Sequence, residues 1–449
     1  MDKIEKKQIF LIAIPLVMQQ LFYQIVIYVD RAILGHINSE YFSAIGNATA
    51  PFYTVTAIIG AVCGATTIFI SQTLGAKKNN DAKKYAEASF IGNSILPLLF
   101  FLLFFFFSRY IFKIMGVKSP ILEYSESYMK IISLSLLFFG FETSAQSIMQ
   151  GLGVTKIIMI SGIIKNILNI IFDCIFIFGL FGLPKMGING AAYGTLFASI
   201  CAAPIIIIYV MHSSKIPFKI ELKNVLRFKW NDYKGMIKVG LPSGIESSLW
   251  NIGNLIVMSF LNKIDIMAAG VYALIFSFEI LPNIIYMGFA RAGLTLVGHK
   301  TGEKDYINAK QVGFKCMRIS LTICTVISLS FIIFGNSLLK IFTDDNDMVV
   351  TCLKYIPIIC ITMFPRSINN VIGLGIQGMG DTKWMLYGQI IGTIFVVVVS
   401  YLLIFTFNFG LMGLFITFLL DETLRSIINL LRFWKGREFF HLKEYVSEI

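Results

Sequence analysis

One short stretch of the chain combines a membrane-like apolar run with polar side chains at helical spacing. It reads KNILNIIFDCIFIFG, from Lys165 to Gly179. Residues three and four apart share one face of an α-helix, so Asn166, Asn169 and Asp173 line a single polar stripe. A charged side chain at the bilayer centre costs about 2.5 kcal/mol or more and usually has a function. The stripe therefore indicates either an ion- or proton-binding site or a structural hydrogen bond between helices.

The composition of the whole chain is typical of a polytopic membrane protein. Of its 449 residues, 56% are hydrophobic and 14% are charged, whereas about 25% are charged in an average soluble domain. Apolar runs of about 20 residues recur, and each is long enough to cross a bilayer as a helix. The net charge of +12 is interpreted as a topology signal rather than as a nucleic-acid-binding surface. The seven cysteines form no CxxC motif, so neither disulfides nor a metal site are expected.

Twelve membrane-spanning helices are predicted. They lie at residues 9–34, 46–73, 88–107, 126–149, 157–181, 187–211, 238–261, 267–297, 312–335, 349–376, 385–407 and 411–433. Lys and Arg are concentrated before the first span and after each even-numbered span. Because basic residues favour the cytoplasmic side, both termini are predicted to be cytoplasmic.

The chain also repeats itself at a constant offset. IPLVMQQ at 14–20 matches LPSGIES at 241–247, and QGLGVTK at 150–156 matches QGMGDTK at 377–383. QTLGAKKNNDAK at 72–83 matches HKTGEKDYINAK at 299–310, and all three pairs are 227 residues apart. We therefore predict an all-α membrane protein of two six-helix lobes in a parallel repeat, as in transporters that alternate access around a central cavity. The predicted segments are an N-terminal lobe at 1–211, a cytoplasmic linker at 212–237, a C-terminal lobe at 238–433 and a tail at 434–449.

The repeated QGxGxTK segments are interpreted as tight turns, because glycine adopts conformations that other residues avoid. They lack the GKS or GKT ending and the preceding strand of a phosphate-binding loop. No ATPase motif is found in the sequence, so active transport would depend on an ion gradient.

Taken together, the motifs resemble those of a known family. Pro15 and Asp30 in a P-x14-D pattern, LGA, QGLGVTK, NIIFDCIFIFG, GINGAAYGT and QGMGDTK resemble the multidrug and toxic compound extrusion (MATE) family in its DinF-like bacterial branch. The resemblance implies the MATE fold and an antiporter that exports amphipathic, cationic drugs in exchange for H⁺ or Na⁺. It also implies a coupling site in the N-terminal lobe, carried over to Asp30, Gln146, Asn169, Asp173 and Thr195.

The residue types at that site fit either ion. A carboxylate in a membrane interior can carry a proton, and carboxylate, amide and hydroxyl oxygens are also suitable ligands for a hard cation such as Na⁺. The repeat offset places Val257 at the position equivalent to Asp30. This favours an ion site confined to one lobe.

Other acids within the predicted spans are candidates for substrate binding or secondary sites: Glu142, Glu246 and Glu279. Asp421 and Arg425 are four residues apart, and we interpret them as an intrahelical ion pair. Arg291 and Arg366 are further candidates for neutralising buried acids.

Three other functions compete with the antiporter. A lipid-linked sugar or polysaccharide flippase of the same superfamily is the alternative, although it would be expected to have extra spans or an Arg-rich cavity. A membrane enzyme would need clustered catalytic or metal-ligating residues, and a channel would not need duplicated lobes with one asymmetric polar site. We expect no cofactor, a small-molecule substrate, H⁺ or Na⁺ and the lipid bilayer as partners, no nucleic acid, and a monomer in a bacterial cytoplasmic membrane.

Overall fold

The computed structural model describes residues 3–35, 39–264 and 266–435, with only the backbone described at residues 3–4, 30–35, 39 and 266. Helices account for almost all of these ranges, and no strand lies within them. The α-helices are α1 Lys3–Gly35, α2 Ser39–Gly75, α3 Asn79–Ile114, α4 Ile121–Ser133, α5 Leu136–Gly151, α6 Lys156–Phe178, α7 Ile188–His212, α8 Leu222–Leu226, α9 Trp230–Ile264, α10 Ile266–Gly302, α11 Tyr306–Leu339, α12 Asn346–Gly378, α13 Thr382–Tyr401 and α14 Gly410–Lys435. A short π-helix at Leu402–Thr406 extends α13. The predicted all-α class is confirmed.

A helix lies at each of the twelve predicted spans. Among the described residues, nine helices are long and apolar enough to cross a membrane, and α4 with α5 makes ten if this pair, bent by 45°, is one span. Helices α9 and α14 have 35 and 26 residues but are not among these nine, because polar side chains interrupt their apolar runs. Those interruptions include Glu246 in α9, a candidate substrate-binding acid, and Asp421 in α14, the predicted ion-pair partner of Arg425.

The repeated loops have equivalent backbone conformations. Gly153 after α5 has a φ of 74°, and its repeat partner Gly380 after α12 has a φ of 97°. In the other repeated loop, Lys77 and Lys304 have φ values of 58° and 61°. Positive φ suits glycine because it has no Cβ, so the interpretation of the QGxGxTK motifs as tight turns is confirmed.

The helices form two compact units. One comprises Met18–Gly244, and the other comprises the described residues up to Val17 and from Ile245 onward. The boundaries between the units fall inside α1 and α9, shortly after Pro15 and Pro242. The lobe and linker boundaries drawn from the repeat stay a prediction.

In the first unit, α6 packs more extensively against α7 than against any other helix. Glycines of the GINGAAYGT motif make this possible, because a side chain would collide with the facing backbone. A Cβ on Gly190 would lie 2.6 Å from the backbone nitrogen of Ile177, and one on Gly194 would lie 2.9 Å from that of Asp173. Small residues of this kind allow close helix packing within membranes.

The segment that precedes α9 is attached to α3 by polar contacts. The backbone N–H of Glu221 donates to Oε1 of Glu87 at 3.0 Å, and Asn224 Nδ2 donates to the same oxygen at 3.3 Å. Lys83 Nζ donates to Glu221 Oε1 at 2.8 Å, and this hydrogen bond lowers the pKa of the exposed Glu221 carboxyl. The segment predicted as a linker is therefore helical at α8 and packs against α3 as part of the first unit.

Tyr233 anchors the start of α9 to the same unit. Its hydroxyl donates to Asn93 Oδ1 at 3.1 Å, and Asn93 Nδ2 donates to Thr66 Oγ1 and Ser144 Oγ at 3.1 and 3.0 Å. The Tyr233 ring lies where a side chain on Gly92 would be, since a Cβ there would be 2.3 Å from Cδ2 of the ring.

We expect Gly92→Ala to destabilise the protein by about 1–3 kcal/mol, because the added methyl group overpacks the Tyr233 ring. Gly64→Ala is the matched control, since a Cβ on Gly64 meets no atom within 4 Å. Thermal unfolding of the purified protein in detergent measures both effects. The packing argument is wrong if the two alanine variants melt at the same temperature.

The second unit is built around α12, which packs against α10, α11 and α14. Its apolar core is formed by side chains from several helices, including Val257, Leu261, Ile275, Phe331, Cys352, Ile356, Met363 and Leu414. Val257, the repeat partner of Asp30, is fully buried in this core. The second unit therefore has an apolar contact at the position equivalent to the first-span acid.

Candidate functional site

Asn169, Asp173 and Thr195 form one hydrogen-bonded group, here called the Asp173 cluster. Asn169 Nδ2 donates to Asp173 Oδ2 at 3.1 Å and to Thr195 Oγ1 at 3.4 Å. Asp173 is almost completely buried, with 1% of its surface exposed. Asn169 and Asp173 are one turn apart on α6, and Thr195 lies on α7. The structure thus brings together three of the five residues that the resemblance assigns to the coupling site.

Gly194 determines how closely α7 approaches the carboxylate. A Cβ at this position would lie 1.8 Å from Asp173 Oδ1, which is far inside van der Waals contact. The absence of a side chain on Gly194 therefore leaves the space that the Asp173 carboxylate occupies. Sequence reasoning did not assign a role to Gly194, although it precedes Thr195 within the quoted GINGAAYGT motif.

Glu142, Gln146 and Lys165 form a second group, here called the Glu142 cluster. Lys165 Nζ lies 2.7 Å from Glu142 Oε2, and Gln146 Nε2 donates to Glu142 Oε1 at 3.1 Å. Gln146 is therefore bonded to Glu142, and no described hydrogen bond joins it to the Asp173 cluster. Lys165 begins the stretch that carries the polar stripe, but its pairing with α5 was not predicted.

Asp30 and Asn166 are the remaining residues of the predicted site and of the predicted stripe. The side chain of Asp30 lies outside the described residues, so its part in the coupling site stays a prediction. Asn166 is buried, and its Nδ2 atom has no hydrogen-bond partner within the part of the chain that the structure describes. The predicted stripe on α6 is thus polar and buried at Asn166, Asn169 and Asp173.

The acids of the second unit are held by amide and guanidinium groups. Glu246 Oε2 accepts a hydrogen bond from Gln377 Nε2 at 3.0 Å. Arg425 Nε donates to both carboxylate oxygens of Asp421, at 2.9 and 3.0 Å, which confirms the predicted intrahelical ion pair. Arg425 Nη1 also donates to Gln389 Oε1 at 2.5 Å.

Arg366 binds two carboxylates at once. Its Nη1 lies 2.6 Å from Glu279 Oε2, and its Nε lies 3.0 Å from Glu422 Oε1. Asn369 Nδ2 donates to Glu422 Oε2 at 2.9 Å. These four residues are here called the Arg366 network. The expectation that Arg366 pairs with an acid is confirmed for Glu279, which is partly buried. The sequence did not indicate a role for Glu422, the neighbour of Asp421.

Arg291, the other predicted partner for an acid, makes no ion pair in residues 5–29, 40–264 and 267–435, whose side chains are described. It lies on α10, and its side chain is exposed. The structure thus distinguishes Arg366, which pairs with two carboxylates, from Arg291, although the sequence predicted the same role for both.

The chain matches one known family model over most of its length. The model of the MatE family matches it twice, at residues 15–175 and 242–402. The chain belongs to the MATE family. Both matches begin and end 227 residues apart, which is the offset of the three repeated motifs. The resemblance inferred from the motifs is confirmed, and the family's unit is present in two copies.

Bacterial transporters of similar sequence agree with this assignment. The chain is 27% identical over 412 residues to the uncharacterized transporter YisQ of Bacillus subtilis, covering 91% of this chain and 89% of the relative. It is also 27% identical over 407 residues to the multidrug export protein MepA of Staphylococcus saprophyticus, covering 89% and 86%. Both relatives are bacterial, in agreement with the predicted bacterial DinF-like branch.

Solved structures show the same fold. An outward-facing multidrug resistance MATE family transporter of the MOP superfamily superposes with a TM-score of 0.88 over 97% of both chains, at 19% sequence identity. A MOP superfamily transporter from Pyrococcus furiosus gives a TM-score of 0.87 over 97% of this chain and 96% of that one, also at 19% identity. The protein is therefore a polytopic membrane transporter with the two-lobe MATE fold, and not an enzyme.

Proposed function

We propose that this MATE transporter exports amphipathic, cationic compounds in exchange for H⁺ or Na⁺ bound at the Asp173 cluster. The observation that carries this proposal is a nearly fully buried carboxylate on a membrane helix, hydrogen-bonded to Asn169. Keeping a carboxylate in such a place is costly, and a role in ion coupling accounts for it. The export of drugs by the relative named MepA supports the choice of substrate class.

The Asp173 cluster supplies the groups that either ion would need. Protonation of Asp173 would remove its charge while Asn169 and Thr195 continue to satisfy the polar atoms. For Na⁺, a half-turn of the Asn169 amide would exchange its NH₂ group for its carbonyl oxygen, so that three side chains present oxygen. We include Asp30 in the proposed site on the strength of the family resemblance.

The membrane orientation that we propose rests on the sequence. Both termini are placed in the cytoplasm because Lys and Arg are concentrated on that side. The transporter is proposed to act as a monomer in the cytoplasmic membrane of a bacterium.

We expect Asp173→Asn to reduce gradient-driven export of ethidium from the cytoplasmic side by at least tenfold, a loss of about 1.4 kcal/mol or more in transition-state stabilisation. Asparagine keeps the size of the side chain and its hydrogen bonds but cannot exchange a proton or balance a cation. Uptake of the dye into everted vesicles, driven separately by a proton gradient and by a sodium gradient, measures the effect and identifies the ion.

Asp81→Asn is the control, because Asp81 is a partly exposed carboxylate on α3 paired only with Lys84 at 3.3 Å in the described contacts. Its export should equal that of the unmodified protein. Equal export by Asp173→Asn and the control would show that Asp173 is a structural contact between helices, and the search for coupling would move to Glu246 and Glu279.

A further inference from the structure

The Glu142 cluster contains an ion pair that joins two helices of the first unit. Lys165 on α6 lies 2.7 Å from Glu142 on α5, and Gln146, one turn along α5, donates to the other carboxylate oxygen at 3.1 Å. Each oxygen of the carboxylate thus has one donor. Gln146 is a neutral donor, so the Lys165 ammonium supplies the positive charge that balances the Glu142 carboxylate.

The two partners of this ion pair differ in exposure. The Glu142 side chain is 9% exposed, whereas the Lys165 side chain is 26% exposed. Of the two, the lysine is therefore the more accessible group. The lysine has a flexible four-carbon stem, so its ammonium group can move away from the carboxylate.

The arginine pairs of the second unit are built differently. Arg366 bonds to both Glu279 and Glu422, and Arg425 bonds to Asp421 and Gln389. A guanidinium held by several bonds in a fixed fork is not readily displaced. The Glu142 cluster, in contrast, has a single bond between a flexible cation and its carboxylate.

We propose that Lys165 is a tethered cation that occupies the Glu142 carboxylate until an organic cation displaces it, so that Glu142 supplies the counter-charge for the exported substrate. This inference rests on the proposed function and adds the residue that sets substrate charge specificity. Aliphatic and aromatic amines that carry one positive charge are the ligand class that fits. Neutral and anionic compounds gain nothing from displacing Lys165.

The position of Lys165 also connects the substrate to the ion site. Lys165 and Asn169 are four residues apart on α6, a rise of about 6 Å. When a substrate displaces the Lys165 ammonium from Glu142, the lysine still carries its positive charge on α6, one turn from Asn169 of the Asp173 cluster. The released ammonium then opposes the binding of H⁺ or Na⁺ at the Asp173 cluster, as an exchange of substrate for ion requires.

The test compares binding of ethidium, a cation, with binding of Nile red, a neutral dye, to the purified protein in detergent without any ion gradient. Lys165→Met removes the competing charge and keeps the length of the side chain. We expect it to bind ethidium about tenfold more tightly, a change of about 1.4 kcal/mol, with Nile red unchanged. A purely structural ion pair predicts the opposite, since its loss would weaken the protein and binding together.

Three more variants complete the test. Glu142→Gln should bind ethidium about tenfold more weakly, and the double variant Glu142→Gln/Lys165→Met should bind it as weakly as Glu142→Gln alone. Lys165→Arg keeps the charge and should not gain affinity. The inference is overturned if Lys165→Met elutes as a single species yet binds ethidium no more tightly. Where Lys165→Met fails to fold, unchanged ethidium affinity in Glu142→Gln overturns it instead.

These results are separable from those of the export assay. Unmodified protein that binds ethidium with the expected charge dependence but exports it on neither gradient contradicts the proposed antiport and supports the role of Lys165. If export depends on Asp173 but Lys165→Met gains no affinity for ethidium, the proposed antiport is supported and the role of Lys165 is contradicted.

Discussion

Alanine in place of Gly194 is expected to reduce ion-driven dye export by at least tenfold, as Asp173→Asn does. The added Cβ would lie 1.8 Å from Asp173 Oδ1 and 2.9 Å from the Asp173 backbone nitrogen. Either the carboxylate must rotate away from Asn169, or α7 must move away from α6. In both cases the Asp173 cluster loses the geometry that we propose for ion binding, and a small displacement at such a site can cost about a hundredfold in rate.

The matched control for this prediction is Gly60→Ala on α2, where a Cβ meets no atom within 4 Å. Alanine is the better helix former by about 1 kcal/mol, so this control should be neutral or slightly stabilising. Ethidium uptake into everted vesicles and the melting temperature are measured for both variants. Full export by Gly194→Ala would mean that the position of the Asp173 carboxylate is not critical for coupling.

Helical periodicity was sufficient to predict contacts that lie along one helix. Asn169 and Asp173 are four residues apart and are hydrogen-bonded, and the same spacing predicted the ion pair of Asp421 and Arg425. The rise and rotation of an α-helix determine such contacts whatever packs around it. The contact of Asn169 with Thr195 on α7 came from the family motifs instead, because spacing alone does not relate two helices.

Contacts between helices were the part that the sequence did not reveal. Lys165 was visible at the start of the polar stripe, but its pairing with Glu142 depends on how α5 lies against α6. Gln146 was assigned to the Asp173 cluster from the resemblance, yet its described hydrogen bond is to Glu142. The exact rotation of each helix about its axis decides such pairings, and hydropathy does not fix that rotation.

The fold itself was more predictable than the site. The apolar runs gave a helix at every predicted span, and the repeat offset of 227 agreed with the duplicated family match. The 45° bend between α4 and α5 was not predicted, although Ser133 and Ser135 lie at it. Their hydroxyls donate to the backbone carbonyls of Lys130 and Ile132 at 2.9 and 2.6 Å, and serines bonded in this way often bend helices.

Arg366→Met is expected to destabilise the protein by about 3 kcal/mol, the lower end of the cost of breaking a buried ion pair, because it leaves two partly buried carboxylates without their cation. Glu279 and Glu422 both bond to Arg366, at 2.6 and 3.0 Å. Lysine in this position should recover only part of the stability, since one ammonium does not reproduce the forked geometry of guanidinium. Thermal unfolding in detergent provides the measurement, and Arg291→Met, which removes an arginine without a described ion pair, is the control.

A rescue experiment separates charge from packing in the Arg366 network. Converting both acids to amides, in Arg366→Met/Glu279→Gln/Glu422→Gln, removes the uncompensated charges and should restore most of the lost stability, because replacing all partners of a buried ion pair is often nearly neutral. If the triple variant melts as low as Arg366→Met, the loss is due to the packing of the arginine stem. If Arg366→Met has the same melting temperature as Arg291→Met, the two carboxylates are neutralised by other groups. Glu279 then becomes a candidate proton- or substrate-binding site again.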